Sequence, residues 1–493
     1  MKVFLVGMMG SGKSTVGRRL AGIFGVEFVD MDEEIEKRKG KSVREIFEEE
    51  GERIFRELEK RLLKELLAKD NVVVATGGGV VLDRENRELL KKEKTIFLYA
   101  PPSVLLERVD VRNRPLLKDG KEKIYEIWEK RRAFYEEFER VDTTNLNEWE
   151  TCAVVVLKVL EEREVLNLKE PHPLSVVVGG FKRVKKEDLV FTTWRVEKIF
   201  EGFLPERRIA FPDGEEVKTL EWVAKAYSAL IEMDFPRGKT IAGVGGGALT
   251  DFTGFVASTF KRGTGLSFYP TTLLAQVDAS VGGKNAIDFA GVKNVVGTFR
   301  MPDDVLIDPA VTVSMDQGRF EEGVVEALKM VVISGRGVEL FDDVRKITQE
   351  RNLEVLTELV RISVEEKARV VREDPHDKGF RHVLNLGHTL GHVFEMLTGV
   401  SHGLAVAWGL EREAFFSWKR GLTSKEVYDW ILEKVLQIAP GLVGERIDRE
   451  QAKKLILNDK KIATSKVRFP YPRRMGEVDF LEVDPLELLE VVA

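Results

Sequence analysis

The chain has 493 residues, 43% apolar and 32% charged, too long for one core at roughly 100–200 residues per domain and too apolar for a disordered polymer. Its 77 Lys plus Arg against 83 Asp plus Glu leave a net charge of −6, which offers no general attraction to nucleic acid or an anionic membrane. The single cysteine, Cys152, excludes an internal disulfide framework and a cysteine metal cage, and no run reaches the roughly 18 apolar residues that span a bilayer, so a soluble, cytoplasmic protein is expected.

In chain order, the strand-like runs Val3–Val6, Val72–Ala75 and Thr95–Tyr99 alternate with charged amphipathic helices, the pattern of an α/β domain around a parallel sheet. Trp149 to Leu160 reads as a helix. It gives way to Glu161-Glu162-Arg163-Glu164 and then Pro171-His172-Pro173, which cannot continue one. A boundary is therefore expected at about 165–172, dividing the chain into 1–168 and 169–493. Beyond it a second α/β stretch reaches about 315, and 316–493 reads as mainly helical. Histidine is absent before His172, whereas four of the six histidines lie between His382 and His402.

Gly7-Met8-Met9-Gly10-Ser11-Gly12-Lys13-Ser14-Thr15 fits G-x-x-x-x-G-K-[ST] between a strand and a helix. Backbone N–H groups from Gly10 to Thr15 can cradle phosphate, Lys13 can neutralise β/γ-phosphates, and Ser14 can reach Mg²⁺. Asp30-Met31-Asp32 follows the second strand-like run, and strand alternation would aim both carboxylates the same way, for metal and hydroxyl ligation. The competing reading is a helix N-terminus, because Asp32-Glu33-Glu34 precedes a helical stretch.

Gly51-Glu52-Arg53-Ile54-Phe55-Arg56-Glu57-Leu58-Glu59, Thr76-Gly77-Gly78-Gly79, Arg114-Pro115-Leu116-Leu117 and Arg131-Arg132-Ala133-Phe134-Tyr135 follow in order. Over residues 1–140 this resembles shikimate kinase. The resemblance implies that Asp32, Arg56, Gly78, Gly79 and Arg131 hold shikimate, that Arg114 sits on a lid over ATP, and that Asp30 lies near Mg²⁺. A guanidinium fork suits the substrate carboxylate, and Asp32 suits the reacting hydroxyl.

In the second half, Gly243-Val244-Gly245-Gly246-Gly247-Ala248-Leu249-Thr250-Asp251 follows the short strand-like run Thr240–Ala242. Its glycines permit close approach of a pyrophosphate, although the spacing is not the usual dinucleotide fingerprint. Pro270-Thr271-Thr272 to Asp278, Lys284 and then Lys293-Asn294 put cations and amides among glycines, suiting an anion. His388 and His392 are four apart, on one face of a helix, and His402 follows. With Glu326, on a helix with Lys329, two of these imidazoles could bind Zn²⁺ and leave a position open.

With Asp213-Gly214-Glu215-Glu216-Val217-Lys218 upstream, residues 175–470 resemble 3-dehydroquinate synthase. The resemblance implies an α/β NAD-binding part followed by a mainly helical metal-binding part. It implies NAD held by Asp213, Gly214, Glu215, Lys218, Gly247, Ala248, Leu249, Thr250, Asp251, Thr271, Thr272, Lys284 and Lys293. Zn²⁺, or another divalent metal such as Co²⁺, falls to Glu326, His388 and His402, which leaves His392 for the substrate. Asp278, Lys284, Lys293, Asn294, Lys329, Lys367, Arg381 and Asn385 are further implied substrate residues, with Lys284, Lys329, Arg381 and His392 catalytic beside Lys13, Asp32 and Arg114 of the first half. Arg262 is implied to reach across a homodimer interface, and Lys460 or Lys461 to meet phosphate. Two positions depart from the family: Val325 replaces an alanine, and Leu404 replaces a glutamate, which threatens the orientation of a zinc histidine. The expected function is a bifunctional enzyme of the shikimate pathway, acting on small molecules. The alternatives are a generic P-loop kinase fused to a zinc polyol dehydrogenase, or a fusion whose second half is regulatory.

Overall fold

The apolar runs become strands because both their faces are covered. In the computed structural model, which describes residues 1–109, 120, 122–458 and 466–492, β1 (Lys2–Val6), β2 (Glu27–Asp30), β3 (Val72–Ala75), β4 (Lys94–Tyr99) and β5 (Glu139–Asp142) form a parallel sheet ordered β2-β3-β1-β4-β5. All of β3 is buried, as is β1 from Val3, so these strands read as continuous apolar runs instead of alternating ones. The helices α1 (Lys13–Phe24), α2 (Met31–Lys39), α3 (Glu52–Leu67) and α4 (Lys123–Tyr135) cover the sheet. The carboxyl ends of β1, β2 and β3 bring the glycine loop, Asp30 and Gly77 to Gly79 to one edge.

The second unit has its own sheet. β6 (Arg163–Leu168), β7 (Leu174–Val178), β8 (Leu189–Thr193), β9 (Arg208–Phe211), β10 (Thr240–Gly245) and β11 (Gly265–Pro270) are followed by the hairpin β12 (Lys284–Phe289) and β13 (Val292–Phe299), then β14 (Asp304–Ile307). Its order is β6-β7-β14-β11-β10-β8-β9, parallel except for β6. Helix α5 (Gly247–Thr259) follows β10. Then come α6 (Gln317–Ser334), α7 (Leu353–Glu373), α8 (His388–Thr398) and α9 (His402–Lys419). Phe191 and Phe252 of the α/β layer share one continuous core with Leu328 and Val331 of α6 and Leu410 of α9, so the two layers make one unit. No helix among the described residues is long and apolar enough to cross a membrane.

Three local features differ from the sequence reading. β2 ends at Asp30, which caps α2 by accepting the N–H groups of Asp32 (3.0 Å) and Glu33 (3.4 Å). Asp32 is therefore helical, and strand alternation does not align the pair. β10 runs through Gly243 to Gly245, carrying two of the loop's glycines in the strand. The C-terminal stretch is mainly helical, as expected, and closes with a hairpin of β15 (Val467–Arg474) and β16 (Glu477–Val483). Pro470 and Pro472 are tolerated there because a two-stranded ribbon is all edge.

The third difference is the boundary. The chain divides between Leu160 and Glu161, because β6 pairs antiparallel with β7, Leu168 opposite Leu174. Leu166 and Leu168 pack against the second core. Cleavage engineered between Leu160 and Arg163 should yield two soluble, active fragments, whereas a break after Leu168 strips an edge strand and should lower the second fragment's melting temperature by several degrees. Calorimetry of the two fragment sets decides it.

Candidate active sites

In the first unit the glycine loop leaves β1 and enters α1 through Gly12, whose φ of 88° favours glycine. Lys13 Nζ folds back to donate to Gly7 O (2.9 Å) and Met8 O (3.0 Å), and Ser14 Oγ donates to Asp30 Oδ2 at 2.5 Å. The proposed Mg²⁺ residues thus meet. A cavity of about 740 Å³ is lined by Lys13, Ser14, Asp30, Asp32, Arg56, Gly78, Gly79 and Arg131. A second cavity, of about 720 Å³, is lined by Gly10, Ser11, Gly12, Lys13, Ser14 and Thr15. Arg114 lies outside the described residues.

Arg56 Nη1 donates to Glu59 at 2.8 Å and Nη2 to Glu52 at 3.0 Å, while Arg131 Nη1 (2.8 Å) and Tyr135 OH (2.5 Å) both donate to Gly78 O. A Cβ on Gly79 would lie 2.2 Å from Arg56 Nη1, so glycine there admits the guanidinium. Burial pushes the Glu59 carboxyl up to about 7 against the pull of Arg56. Glu59 and Tyr135, which the sequence reading left without roles, hold the two arginine-bearing surfaces.

In the second unit, the segments after β9, β10 and β11 all leave the carboxyl edge of the sheet, where open α/β folds bind ligands. They carry Asp213 to Lys218, Gly247 to Asp251, and Thr271-Thr272. Buried Lys218 donates to Asp251 Oδ2 at 2.9 Å and to Asn294 Oδ1. Burial pushes Asp251 up to about 6 despite that lysine. A Cβ on Gly246 would approach Thr272 Cγ2 to 3.1 Å.

Deeper in the unit, α6 presents Glu326 and Lys329 one turn apart, both 1% exposed, with Lys329 Nζ 2.5 Å from Glu326 Oε2. Lys367 of α7 pairs with Asp278. Burial would raise the Asp278 carboxyl, but Lys367 and Lys329 hold it well below the usual range. Lys284 donates to Asp377 Oδ2 at 2.5 Å, and Arg381 Nη1 to Gly282 O at 3.3 Å. Asn385 is exposed at the end of a short 3₁₀ turn (Phe380–Asn385). Among the described residues no hydrogen bond or ion pair joins Arg262, exposed with φ 63°, to this set. Lys460 and Lys461 lie outside the described residues.

His388, His392 and His402 offer ring nitrogens within 4.8 Å of one another, and His388 Nε2 is 3.5 Å from Glu326 Oε1. Lys329 holds Glu326 Oε2, whereas the buried Oε1 has no hydrogen-bond donor among the described residues. Burial, and next the Lys329 charge, push His388 down to about 3, so its imidazole is neutral. One buried carboxylate with an oxygen facing it, the neutral His388 ring and its neighbouring histidines fit a Zn²⁺-type ion with a position to spare. Glu413 of α9, fully buried, accepts the N–H groups of Gly387 (2.6 Å) and Leu390 (2.9 Å), capping the first turn of α8 and so placing His388. Val325 sits buried in the core beside Glu326.

The shikimate kinase family matches residues 9–162, and the 3-dehydroquinate synthase N-terminal and C-terminal families match 208–322 and 323–462. A bifunctional shikimate kinase/3-dehydroquinate synthase of Thermotoga maritima is 70% identical over 493 residues, covering all of both chains. The chain belongs to this bifunctional family. The 3-dehydroquinate synthase of Pyrococcus abyssi is 38% identical, over 58% of this chain and 84% of its own. A solved 2-epi-5-epi-valiolone synthase from Streptomyces hygroscopicus, with NAD⁺ and Zn²⁺ bound, covers 66% of this chain and 97% of its own at TM-score 0.59 and 21% identity, a likeness of fold. The two units are accordingly a kinase unit and a synthase unit. Of the residues that shape their sites, sequence reasoning missed Glu59, Tyr135 and Glu413. Glu59 and Tyr135 had stood inside the motifs, whereas Glu413 gives no local signal, being one of two acids in a largely apolar helix.

Proposed function

We propose that the kinase unit phosphorylates shikimate from ATP with Mg²⁺, and that the synthase unit converts 3-deoxy-D-arabino-heptulosonate 7-phosphate to 3-dehydroquinate and phosphate with NAD and Zn²⁺ or Co²⁺. The observation that carries this reading is the 70% identity to a bifunctional relative along the whole chain. In the kinase unit Arg56 and Arg131 clamp the substrate carboxylate beside Gly78 and Gly79, and Asp32 takes the proton of the attacking hydroxyl. Lys13 exchanges its two loop carbonyls for phosphate oxygens, Ser14 and Asp30 hold Mg²⁺, and Arg114 covers ATP.

In the synthase unit Glu326, His388 and His402 hold the metal, and the loops after β9, β10 and β11 hold the dinucleotide. Bound there, the two groups supply hydride exchange and polarisation of the carbinol being oxidised. Lys284, Lys293, Asn294, Lys367, Arg381 and Asn385 receive the phosphorylated substrate, their cations favouring departure of phosphate. Lys329, Asp278 and His392 line the reacting end. The synthase unit is further proposed to pair with a second copy, because Phe289, Val292, Val295 and Phe299 of the β12–β13 hairpin are more than half exposed. Sedimentation tests this, and cell fractionation tests the proposed cytoplasmic location.

Purified chain supplied with both substrates should form shikimate 3-phosphate and, separately, release phosphate with no net NADH. Net NADH would favour a polyol dehydrogenase instead. Chelation should silence phosphate release until Zn²⁺ returns, while the kinase recovers with Mg²⁺ alone.

A further inference from the structure

Glu395 lies on α8, seven residues after His388 and hence on the same helix face. It is a side chain the functional reading leaves unused. Its Oε2 is 2.9 Å from His402 Nδ1, and its Oε1 is 3.5 Å from Lys293 Nζ on β13. A carboxylate only accepts, so the contact places the proton on Nδ1 and leaves the lone pair on Nε2. His388 is set in the same sense, its Nδ1 lying 3.2 Å from Leu386 O. His392, between them on α8, makes no hydrogen bond among the described residues. The two histidines assigned to the metal are therefore the two whose outer nitrogen is engaged.

We propose that Glu395 is the positioning residue of the metal centre, fixing the tautomer and direction of His402 from the neighbouring helix. This rests on the reading of Glu326, His388 and His402 as ligands. It also answers the departure at Leu404: the acid that His402 lacks on its own helix α9 comes from α8, so the chain has no need of a carboxylate at 404. The contact with Lys293 is the competing role. Lys293 is 70% exposed at its side chain, and an ion pair that open to water contributes little.

The test uses the full chain, stripped of metal, with zinc affinity read by competition with a chromophoric chelator and the visible spectrum of the Co²⁺ form as a second readout. Glu395→Gln and Glu395→Ala should each weaken zinc about 10–100-fold, the loss typical when a partner behind a ligating histidine is removed, and should shift the Co²⁺ bands. Lys293→Ala should leave both readouts unchanged, and Leu404→Glu should not tighten zinc. Parental affinity in both Glu395 variants would overturn the proposal. So would an equal loss in Lys293→Ala, or metal-free variants that no longer unfold cooperatively, which would mark Glu395 as a fold determinant. A parent chain that takes up no zinc would instead refute the ligand assignment beneath it.

Discussion

Lys13→Ala and Asp32→Ala should each abolish ATP-dependent phosphorylation of shikimate while phosphate release by the synthase unit continues at the parental rate. Lys13 is the cation of the glycine loop, and its ammonium, 2.9 Å from Gly7 O and 3.0 Å from Met8 O, is held beside the place where the phosphates would lie. Its removal leaves the transferring charge without its counter-ion. Asp32 lines the same cavity as Arg56 and Arg131, so its loss removes the acceptor for the hydroxyl proton, typically worth about 10²–10⁴ in rate. The synthase is spared because each unit closes its own core, one built on Phe4, Val74 and Phe97 and the other on Phe191, Phe252 and Leu328. The check is a pair of assays on each folded variant. Loss of both activities would mean that the sites are not independent.

What the sequence could disclose follows from how locally each feature is encoded. Val72–Ala75 is buried at every position, so an uninterrupted apolar run marked it, and the glycine loop advertises itself because three glycines, a lysine and a hydroxyl must be adjacent to wrap a phosphate. The histidine pair was legible from helical spacing alone. β6 was not, because its edge position leaves Arg163 and Glu164 exposed and its partner lies beyond Pro171. For Asp30-Met31-Asp32 the strand-alternation reading failed at one peptide and the competing helix N-terminus held. Strand and helix meet there, and a capping aspartate looks the same in sequence as the last residue of a strand. Glu395 and Glu413 were illegible for a different reason: each acts on a backbone or side chain brought up by another helix or loop, and no spacing within one element encodes that contact.

His392→Ala should retain about one zinc per chain yet lose turnover of the phosphorylated substrate, whereas Glu326→Ala and His402→Ala should lose the metal and the activity together. The three imidazoles are close enough for any two to serve, with ring centroids 5.3 to 5.6 Å apart, so distance alone does not choose. Charge and hydrogen bonding do. Glu326, paired through Oε2 with Lys329, brings its buried and otherwise donor-free Oε1 to within 3.5 Å of His388 Nε2. Removing it leaves Lys329, 1% exposed, as an unpaired buried charge facing any incoming cation, and breaking such a pair typically costs about 3–5 kcal/mol. His402 is aimed by Glu395, whereas His392 is solvent-exposed and free to turn towards a substrate. Although the residue is exposed overall, crowding of its ring and the neighbouring His402 push the His392 pKa down, which favours an uncharged ring able to accept a proton from a substrate hydroxyl. Metal analysis of the three variants, run beside the phosphate-release assay, separates the roles. Zinc lost from His392→Ala but kept by His402→Ala would make the i, i+4 pair on α8 the metal site and return His402 to the substrate side.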